Sequence, residues 1–118
     1  YLLKRLITSF DPQLVCVYMA ILIELRVIPI GTSSTSLSSY IAKVIDVVRS
    51  SGYRYVLGPM GTSIEIRSFN DLAKLLNDTI SVLRDMNVNR IVIDIAIDIR
   101  LDKETSLIDK VKSVEEKL

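Results

Sequence analysis

The chain has 118 residues, of which 49% are hydrophobic, so it is long and apolar enough to fold as one domain around a core. Its 15 Lys and Arg residues nearly balance its 14 Asp and Glu residues, and a net charge of +1 argues against a nucleic-acid-binding protein. The absence of His and the single cysteine, Cys16, exclude a typical zinc site, a Ser-His-Asp triad, a Cys-His pair and a disulfide within the chain.

The first eighteen residues differ from the rest, and we predict that residues 1–18 are an extension outside the core fold. Basic residues precede an apolar stretch, as in a signal peptide, but Asp11-Pro12 interrupts it and no small-residue cleavage site follows. The apolar run Leu14–Ile23 is too short to cross a bilayer, which requires about 20 residues. The competing interpretation is an extra strand or helix packed on a domain that spans residues 19–118.

The first strand and helix surround a hydroxyl-rich loop. Residues 21–30 are rich in β-branched side chains and alternate in polarity, which predicts a strand. In the loop that follows, Ser34, Thr35 or Ser36 is expected to be the N-cap of a helix that ends at Gly52. The apolar stripe of this helix consists of Leu37, Tyr40, Ile41, Val44, Ile45 and Val48.

A hairpin and a second helix come next. Residues 53–57 and 64–67 are predicted to be strands, and the turn between them contains Gly61-Thr62. Ser68 or Asn70 is expected to cap the second helix. Its buried stripe is predicted to consist of Leu72, Leu75, Leu76, Thr79, Ile80 and Leu83.

The last strand, predicted over residues 90–100, has the clearest pattern. Isoleucine occupies every second position from Ile91 to Ile99, so these five side chains share one face. Residues 101–118 are predicted to form an amphipathic helix with a stripe of Leu107, Ile108, Val111, Val114 and Leu118. The order β-α-β-β-α-β predicts an α+β, ferredoxin-like sandwich, in which two helices cover one face of a four-stranded antiparallel sheet.

The opposite face of this sheet is predicted to mix charged and apolar side chains. The charged residues are Glu24, Arg26, Arg54, Glu65, Arg67, Asp94 and Asp98, and the apolar ones are Ile28, Ile30, Val56, Val92 and Ala96. A solvated face with weak cross-strand ion pairs is one interpretation. We prefer self-association, because mixed faces are typical of interfaces and the last strand would otherwise expose a long edge.

One short phrase occurs twice, thirty positions apart, as Pro29-Ile30-Gly31-Thr32-Ser33 and Pro59-Met60-Gly61-Thr62-Ser63. Pro ends a hydrogen-bonding ladder, Gly permits a turn, and the hydroxyl groups can bind exposed backbone or a small polar ligand. We predict that the two turns line one site, although each also has the composition of an ordinary turn.

Four segments together resemble the small thiamine-binding, YkoF-like proteins. They are Arg26–Thr32, Gly58–Glu65, Ile97–Arg100 with Asp102-Lys103, and Lys110–Val114. The resemblance spans residues 19–118, and members of that family start near the position of Met19. It implies a ferredoxin-like fold, assembly into homodimers or homotetramers, and binding of thiamine or its hydroxymethylpyrimidine moiety.

Thiamine combines a cationic thiazolium ring with an aminopyrimidine, and both favour carboxylates. A carboxylate accepts hydrogen bonds from the pyrimidine and attracts the cation, so we predict this role first for Glu65 and second for Asp98. The hydroxyl groups predicted to bind the ligand belong to Thr32, Ser33, Ser36 and Thr62. The alternative for the two carboxylates is cross-strand pairing with Arg26 or Arg67.

Two further interpretations concern single side chains. Tyr40 could stack on a ligand ring, although its helical position is more typical of core. Arg67 and Arg100 could contact a phosphate group if the ligand were phosphorylated.

The predicted function is therefore non-catalytic binding of thiamine or a related aminopyrimidine by a cytoplasmic homo-oligomer, as a carrier or sensor. We expect no cofactor, metal, nucleic acid or membrane partner, and the lack of His favours binding over catalysis. Two alternatives remain open. One is a regulatory or structural oligomerisation module for another metabolite, and the other is a small enzyme that uses Glu65 or Asp98 as a base.

Overall fold

The computed structural model describes residues 20–118, so the predicted extension over residues 1–18 lies outside the described residues. The strands are β1 (Ile21–Ile30), β2 (Tyr55–Leu57), β3 (Thr62–Ile66) and β4 (Arg90–Ile99), and the helices are α1 (Ser38–Ser51), α2 (Phe69–Asp85) and α3 (Leu107–Glu115). All strands join one antiparallel sheet in the order β2-β3-β1-β4. Two βαβ units with adjacent central strands produce this order, and the predicted α+β ferredoxin-like fold is confirmed.

The pairing of β1 with β4 along all ten residues separates the sheet into two different faces. Ile21 lies opposite Ile99, so the alternating isoleucines of β4 lie on the same face as Ile21, Ile23 and Leu25. This face meets α1 and α2 in the main core, as predicted. The other face, here called the open face, contains Leu22, Glu24, Arg26, Ile28 and Ile30 of β1 and the residues paired with them.

The helix-covered face is not evenly covered. Helix α1 packs against β1 and β2, and α2 packs against β3. The end of β4 therefore receives less cover, and Ile97 and Ile99 stay 46% and 37% exposed despite pointing to the helix side. Burial of the isoleucine face is complete only near the centre of the sheet.

Helix α2 begins as predicted, whereas α1 does not. Ser68 Oγ accepts a hydrogen bond from Asp71 N–H at 3.3 Å, and Asp71 Oδ2 accepts one from Ser68 N–H at 3.1 Å, which is a reciprocal capping box. The predicted α1 caps Ser34, Thr35 and Ser36 are wrong, because the N-cap is Leu37 and has no side-chain cap hydrogen bond. The loop hydroxyl groups bond within the loop instead, so the helix starts later.

The two hairpin strands are also displaced from their predicted bounds. The second strand starts at Tyr55 rather than at Tyr53, whose N–H donates to Ser51 Oγ at 3.3 Å beyond the end of α1. The third strand starts two residues earlier than predicted, at Thr62, because the turn is tight. A backbone hydrogen bond of 2.8 Å from Gly58 N–H to Gly61 O closes that turn.

Helix α3 is shorter and more exposed than the predicted terminal helix. Residues 101–106 form a connection, and α3 starts after Ser106, whose Oγ accepts a hydrogen bond from Asp109 N–H at 3.1 Å. No residue of α3 is buried, and its apolar stripe is more than half exposed at Ile108, Val111 and Val114. No helix within residues 20–118 has both the length and the hydrophobicity that crossing a bilayer requires.

The capping box at α2 can be tested by Ser68→Ala. Removing the Ser68 hydroxyl leaves Asp71 N–H without its partner, so we expect the free energy of unfolding in urea to fall by about 1 kcal/mol. The matched control is Ser81→Ala, at an exposed serine inside the same helix, which should leave stability unchanged or slightly raise it. Equal losses in the two variants would contradict a specific capping role.

Candidate functional site

The two repeated turns lie beside different parts of β1, and the backbone requires glycine for a different reason in each turn. Gly31 has a φ of 81°, a left-handed conformation that side chains disfavour. At Gly61 a Cβ atom would lie 2.6 Å from Glu24 Oε1 and 3.2 Å from Leu25 O, so glycine lets the hairpin approach β1. The register places Gly61 beside Arg26, about 16 Å from Gly31 along β1.

The second turn lines a cleft of about 230 Å³ between β1, the β2–β3 hairpin and α1. Its walls are mainly apolar and include Leu25, Val27, Ile41, Ile45, Leu57 and Met60. Strand β3 begins at Thr62, opposite Leu25, so among the described strands β1 has no neighbour on this side beyond that point. This gap creates the cleft, and Thr62 is a buried polar residue in its wall.

Thr62 and Glu65 lie on opposite faces of the sheet. They are separated by three residues in an extended strand, and side chains alternate with a period of two. Thr62 is paired with Leu25 on the helix side, and Glu65 is paired with Leu22 on the open face. The carboxylate predicted to bind the ligand is therefore outside the cleft that contains Thr62.

Glu65 and Asp98, here called the acidic pair, flank Leu22 on the open face. Leu22 is paired with Glu65 of β3 on one side and with Asp98 of β4 on the other. Because neighbouring strands are about 4.8 Å apart, the two acidic Cα atoms are about 10 Å apart. Leu22 is only 3% exposed, so the two carboxylates stand on either side of a covered apolar residue.

The first turn of α3 contacts both members of the acidic pair. Glu65 Oε1 accepts a hydrogen bond of 2.7 Å from the backbone N–H of Leu107. The carboxylate of Asp98 forms an ion pair with the ammonium group of Lys110. The positive end of the helix and a lysine thus neutralise two carboxylates on the sheet.

The connection before α3 is held separately. Glu104 Oε1 accepts a hydrogen bond of 2.8 Å from Ala20 N–H and lies 3.2 Å from Arg67 Nη1. On the rest of the open face, Arg26 pairs with Asp94 at 3.7 Å and Ser63 Oγ donates to Glu24. Arg26, one of the two cross-strand partners considered for the acidic pair, therefore pairs with a different carboxylate.

The other predicted hydroxyl ligands lie in the loop after β1. Thr32 Oγ1 donates to Ser34 O at 2.9 Å, Ser36 Oγ lies 3.2 Å from Ser38 Oγ, and Ser33 is exposed. This loop follows the carboxyl end of β1, whereas the acidic pair flanks its second residue. The hydroxyl loop and the acidic pair are therefore roughly 30 Å apart in one protomer.

The six predicted site residues thus occupy three places. Thr32, Ser33 and Ser36 lie in the loop after β1, Thr62 lines the cleft, and Glu65 and Asp98 form the acidic pair. Within one protomer the two turns and Glu65 do not line one pocket, because of the length of β1 and the odd spacing from Thr62 to Glu65. Their ligand-binding roles stay predictions.

The structure adds functional groups that the sequence interpretation missed. Lys110 and the backbone N–H of Leu107 contact the acidic pair, and the Ser106…Asp109 cap was a local signal for the start of their helix. Nothing local indicates which strand residues that helix meets. Tyr40 is half-buried against the core, which agrees with the core interpretation.

Arg100 and Asp102 form an ion pair where β4 ends. Arg100 Nε lies 2.7 Å from Asp102 Oδ1. The hydrogen bond from Arg100 is the largest cause that lowers the pKa of Asp102, to about 2, and the same bond raises the pKa of Arg100. Arg100, considered above for a phosphate group, is therefore already engaged by a carboxylate.

Known proteins resemble this chain over most of its length. Residues 23–115 match the family profile described as thiamine-binding protein. A UPF0045 protein of Methanothermobacter thermautotrophicus is 37% identical over 95 residues, which cover 80% of this chain and 96% of that protein. A UPF0045 protein of Bacillus subtilis is 33% identical over 99 residues, with 80% and 94% covered.

Solved structures share the fold. A hypothetical protein of Methanocaldococcus jannaschii superposes with a TM-score of 0.73 and 29% identity, covering 82% of this chain and 97% of that one. A Thermotoga maritima protein provisionally assigned to thiamine biosynthesis or salvage superposes with a TM-score of 0.69 and 21% identity, covering 80% and 98%. These likenesses agree with the strand order and helix placement described above.

The ion pair at the start of the connection predicts a pH dependence. The pKa of Asp102 is lowered from 3.8 to about 2, so its contribution to stability is present above pH 3.8 and is lost as the pH falls towards 2. NMR titration of the Asp102 carboxyl resonance should give a midpoint near 2. Arg100→Gln should return it towards 3.8, whereas Arg84→Gln on α2 should not. A wild-type midpoint near 4 would contradict the pairing.

Proposed function

Because this chain belongs to the thiamine-binding protein family, we propose that it binds thiamine or a related aminopyrimidine cation at the acidic pair. The observation that carries the proposal is the chemistry of the groups that Glu65 and Asp98 already accept. Glu65 takes an N–H donor, and Asp98 takes an organic cation. Thiamine offers the same two groups, since its pyrimidine has N–H donors and its thiazolium ring is cationic.

The surroundings of the acidic pair suit such a ligand. Leu22 between the carboxylates is covered, whereas Asp98 remains 47% exposed at its side chain, so a ligand can reach Asp98. Carboxylates on a half-exposed surface attract a cation without the large desolvation cost of a buried pair. We assign the pyrimidine amino group to Glu65 and the thiazolium ring to Asp98.

We also propose that the protein acts as a homodimer or homotetramer. The open face contains Ile30, Val56 and Val92, which are 38%, 56% and 38% exposed, beside charged residues of both signs. Among the strands of residues 20–118, β4 is an edge strand of ten residues, an unusually long edge to leave unpaired. A second copy of the chain could cover the apolar residues of the open face and also pair with the edge of β4.

Self-association offers a place for the remaining predicted residues. In a two-fold packing of open faces with antiparallel β1 strands, the hydroxyl loop of one protomer would approach the acidic pair of its partner. Thr32, Ser33 and Ser36 would then bind the hydroxyl group or ring nitrogens of a ligand held by the carboxylates of the other copy. Thr62 lines the cleft on the opposite face of the sheet and would not contact this ligand.

We propose a carrier or sensor role without catalysis and without a resident cofactor or metal. The chain has no His to serve as a general base near neutral pH, and its two candidate carboxylates accept donors from α3. A cytoplasmic location is part of the same proposal, and the low cysteine content supports it.

Calorimetric titration with thiamine tests the binding site. We expect a dissociation constant in the micromolar range, and Glu65→Gln and Asp98→Asn should each weaken binding by about tenfold or more, because each removes a charged hydrogen-bond acceptor. Asp46→Asn makes the same charge change on exposed α1 and should leave affinity unchanged. An absence of heat with thiamine, its phosphates and the free pyrimidine would refute the proposal.

Light scattering after size exclusion tests the oligomer. A protomer of 13.3 kDa should elute at two or four times that mass, and Val92→Asp on the open face should shift the mass towards the monomer. Phe69→Asp is the matched control, since Phe69 is 54% exposed at the start of α2 on the other side of the sheet. A strictly monomeric wild-type protein would contradict an interface on the open face.

A further inference from the structure

Helix α3 is attached to the sheet in an unusual way. Its stripe of apolar side chains is exposed, and none of its residues is buried. Its first turn meets the sheet through the hydrogen bond from Leu107 to Glu65 and the ion pair from Lys110 to Asp98. Helices α1 and α2, in contrast, bury apolar residues in the main core.

The two groups of α3 that contact the acidic pair have the same chemistry as two groups of the proposed ligand. The Leu107 N–H occupies Glu65 as an aminopyrimidine N–H would, and the Lys110 ammonium occupies Asp98 as a thiazolium would. A ligand that reaches from Glu65 to Asp98 must pass over Leu22, which is 3% exposed, so it cannot bind both carboxylates while the first turn of α3 spans them. We propose that α3 and a cationic aminopyrimidine ligand compete for the acidic pair, so that ligand binding releases α3 and reports occupancy.

This inference rests on the proposed function and assigns the site a regulatory element from its own chain. Lys110 and Asp98 keep 48% and 47% of their side chains exposed, and exposed ion pairs contribute little to stability. The helix is therefore held weakly enough for a ligand of ordinary affinity to displace it. In one state the acidic pair binds α3, and in the other it binds the ligand. A ligand can shift the equilibrium between two states only if it interacts differently with them, and this condition is met here.

The preceding connection confines the movement to the helix. Glu104 accepts a hydrogen bond from Ala20 and pairs with Arg67, and Asp102 pairs with Arg100. None of these contacts involves the acidic pair. When α3 releases Glu65 and Asp98, the contacts of Glu104 and Asp102 remain, so α3 can pivot near Ser106. The released helix would carry its exposed apolar stripe, including Val111 and Val114, away from the open face.

Reciprocity makes the competition measurable. If ligand binding weakens the attachment of α3, then weakening that attachment must tighten ligand binding by the same factor. Leu107→Pro deletes the N–H that Glu65 accepts, and proline is well tolerated at the first position of a helix. Ser106, with φ −139° and ψ 165°, already has the extended backbone that precedes proline.

The experiment is calorimetric titration of full-length variants with thiamine. Leu107→Pro and Lys110→Met should each bind thiamine at least about threefold more tightly than the wild type, because each removes one competitor. Leu107→Ala keeps the N–H, and Lys112→Met makes the same charge change elsewhere on α3, so both should bind within about twofold of the wild type. In the wild type, thiamine should also speed amide exchange in α3 and leave α2 unchanged.

Each outcome has a distinct meaning. Thiamine binding by the wild type that is unchanged or weaker in both Leu107→Pro and Lys110→Met would overturn the competition and leave the proposed function standing. Binding by the variants alone would support the competition strongly. An absence of thiamine binding by the wild type and by every variant would overturn both. Far-UV circular dichroism identifies a misfolded variant, and the other substitution then decides the result.

Discussion

The pairing of β1 with both of its neighbours determines the rest of the structure. β1 forms ten residue pairs with β4 and five with β3, so its register sets the face on which every side chain of these strands lies. A shift of one residue would exchange the isoleucine face for the charged face, and the burial of Ile21, Ile23 and Leu25 penalises that shift. The core thereby stabilises the arrangement of the open face.

The position of the acidic pair follows from this register. Glu65 and Asp98 come from strands that are not adjacent in the sheet, and they form a pair only because both strands flank Leu22 of β1. The same register separates Glu65 from Thr62, since three residues along a strand reverse the face. The pairing of β1 with β3 and β4 thus places the acidic pair on one face of the sheet and the apolar cleft on the other.

Helix α3 differs from α1 and α2 in the forces that hold it. The first two helices bury apolar stripes against the sheet, and this burial stabilises their attachment. Helix α3 meets the sheet through carboxylates, whose partners can be exchanged for other donors and cations. Elements with few buried apolar contacts belong to the low-stability end of a structure, from which moving parts are drawn. Helix α3 is such an element, and it lies beside the proposed site.

The sequence alone determined the features that depend on near neighbours. The alternation of isoleucine defined β4, the three- and four-residue repeats defined α1 and α2, and Ser68 was one of two candidate caps of α2, because each signal involves residues within or next to one element. The order of these elements was sufficient for the fold class. The repeated phrase also marked two real turns, although their glycines serve different purposes.

The assembly of the candidate site depends on contacts between distant parts of the chain. The contact between Leu107 and Glu65 joins residues 42 positions apart, and no local pattern encodes which strand a terminal helix meets. Ser34 Oγ accepts from the backbone N–H of Ser36, and the Ser36 hydroxyl bonds to that of Ser38, so neither caps α1; composition cannot resolve this competition between similar hydrogen bonds. Periodicity shows which residues share a face, whereas the path of the chain decides what that face meets.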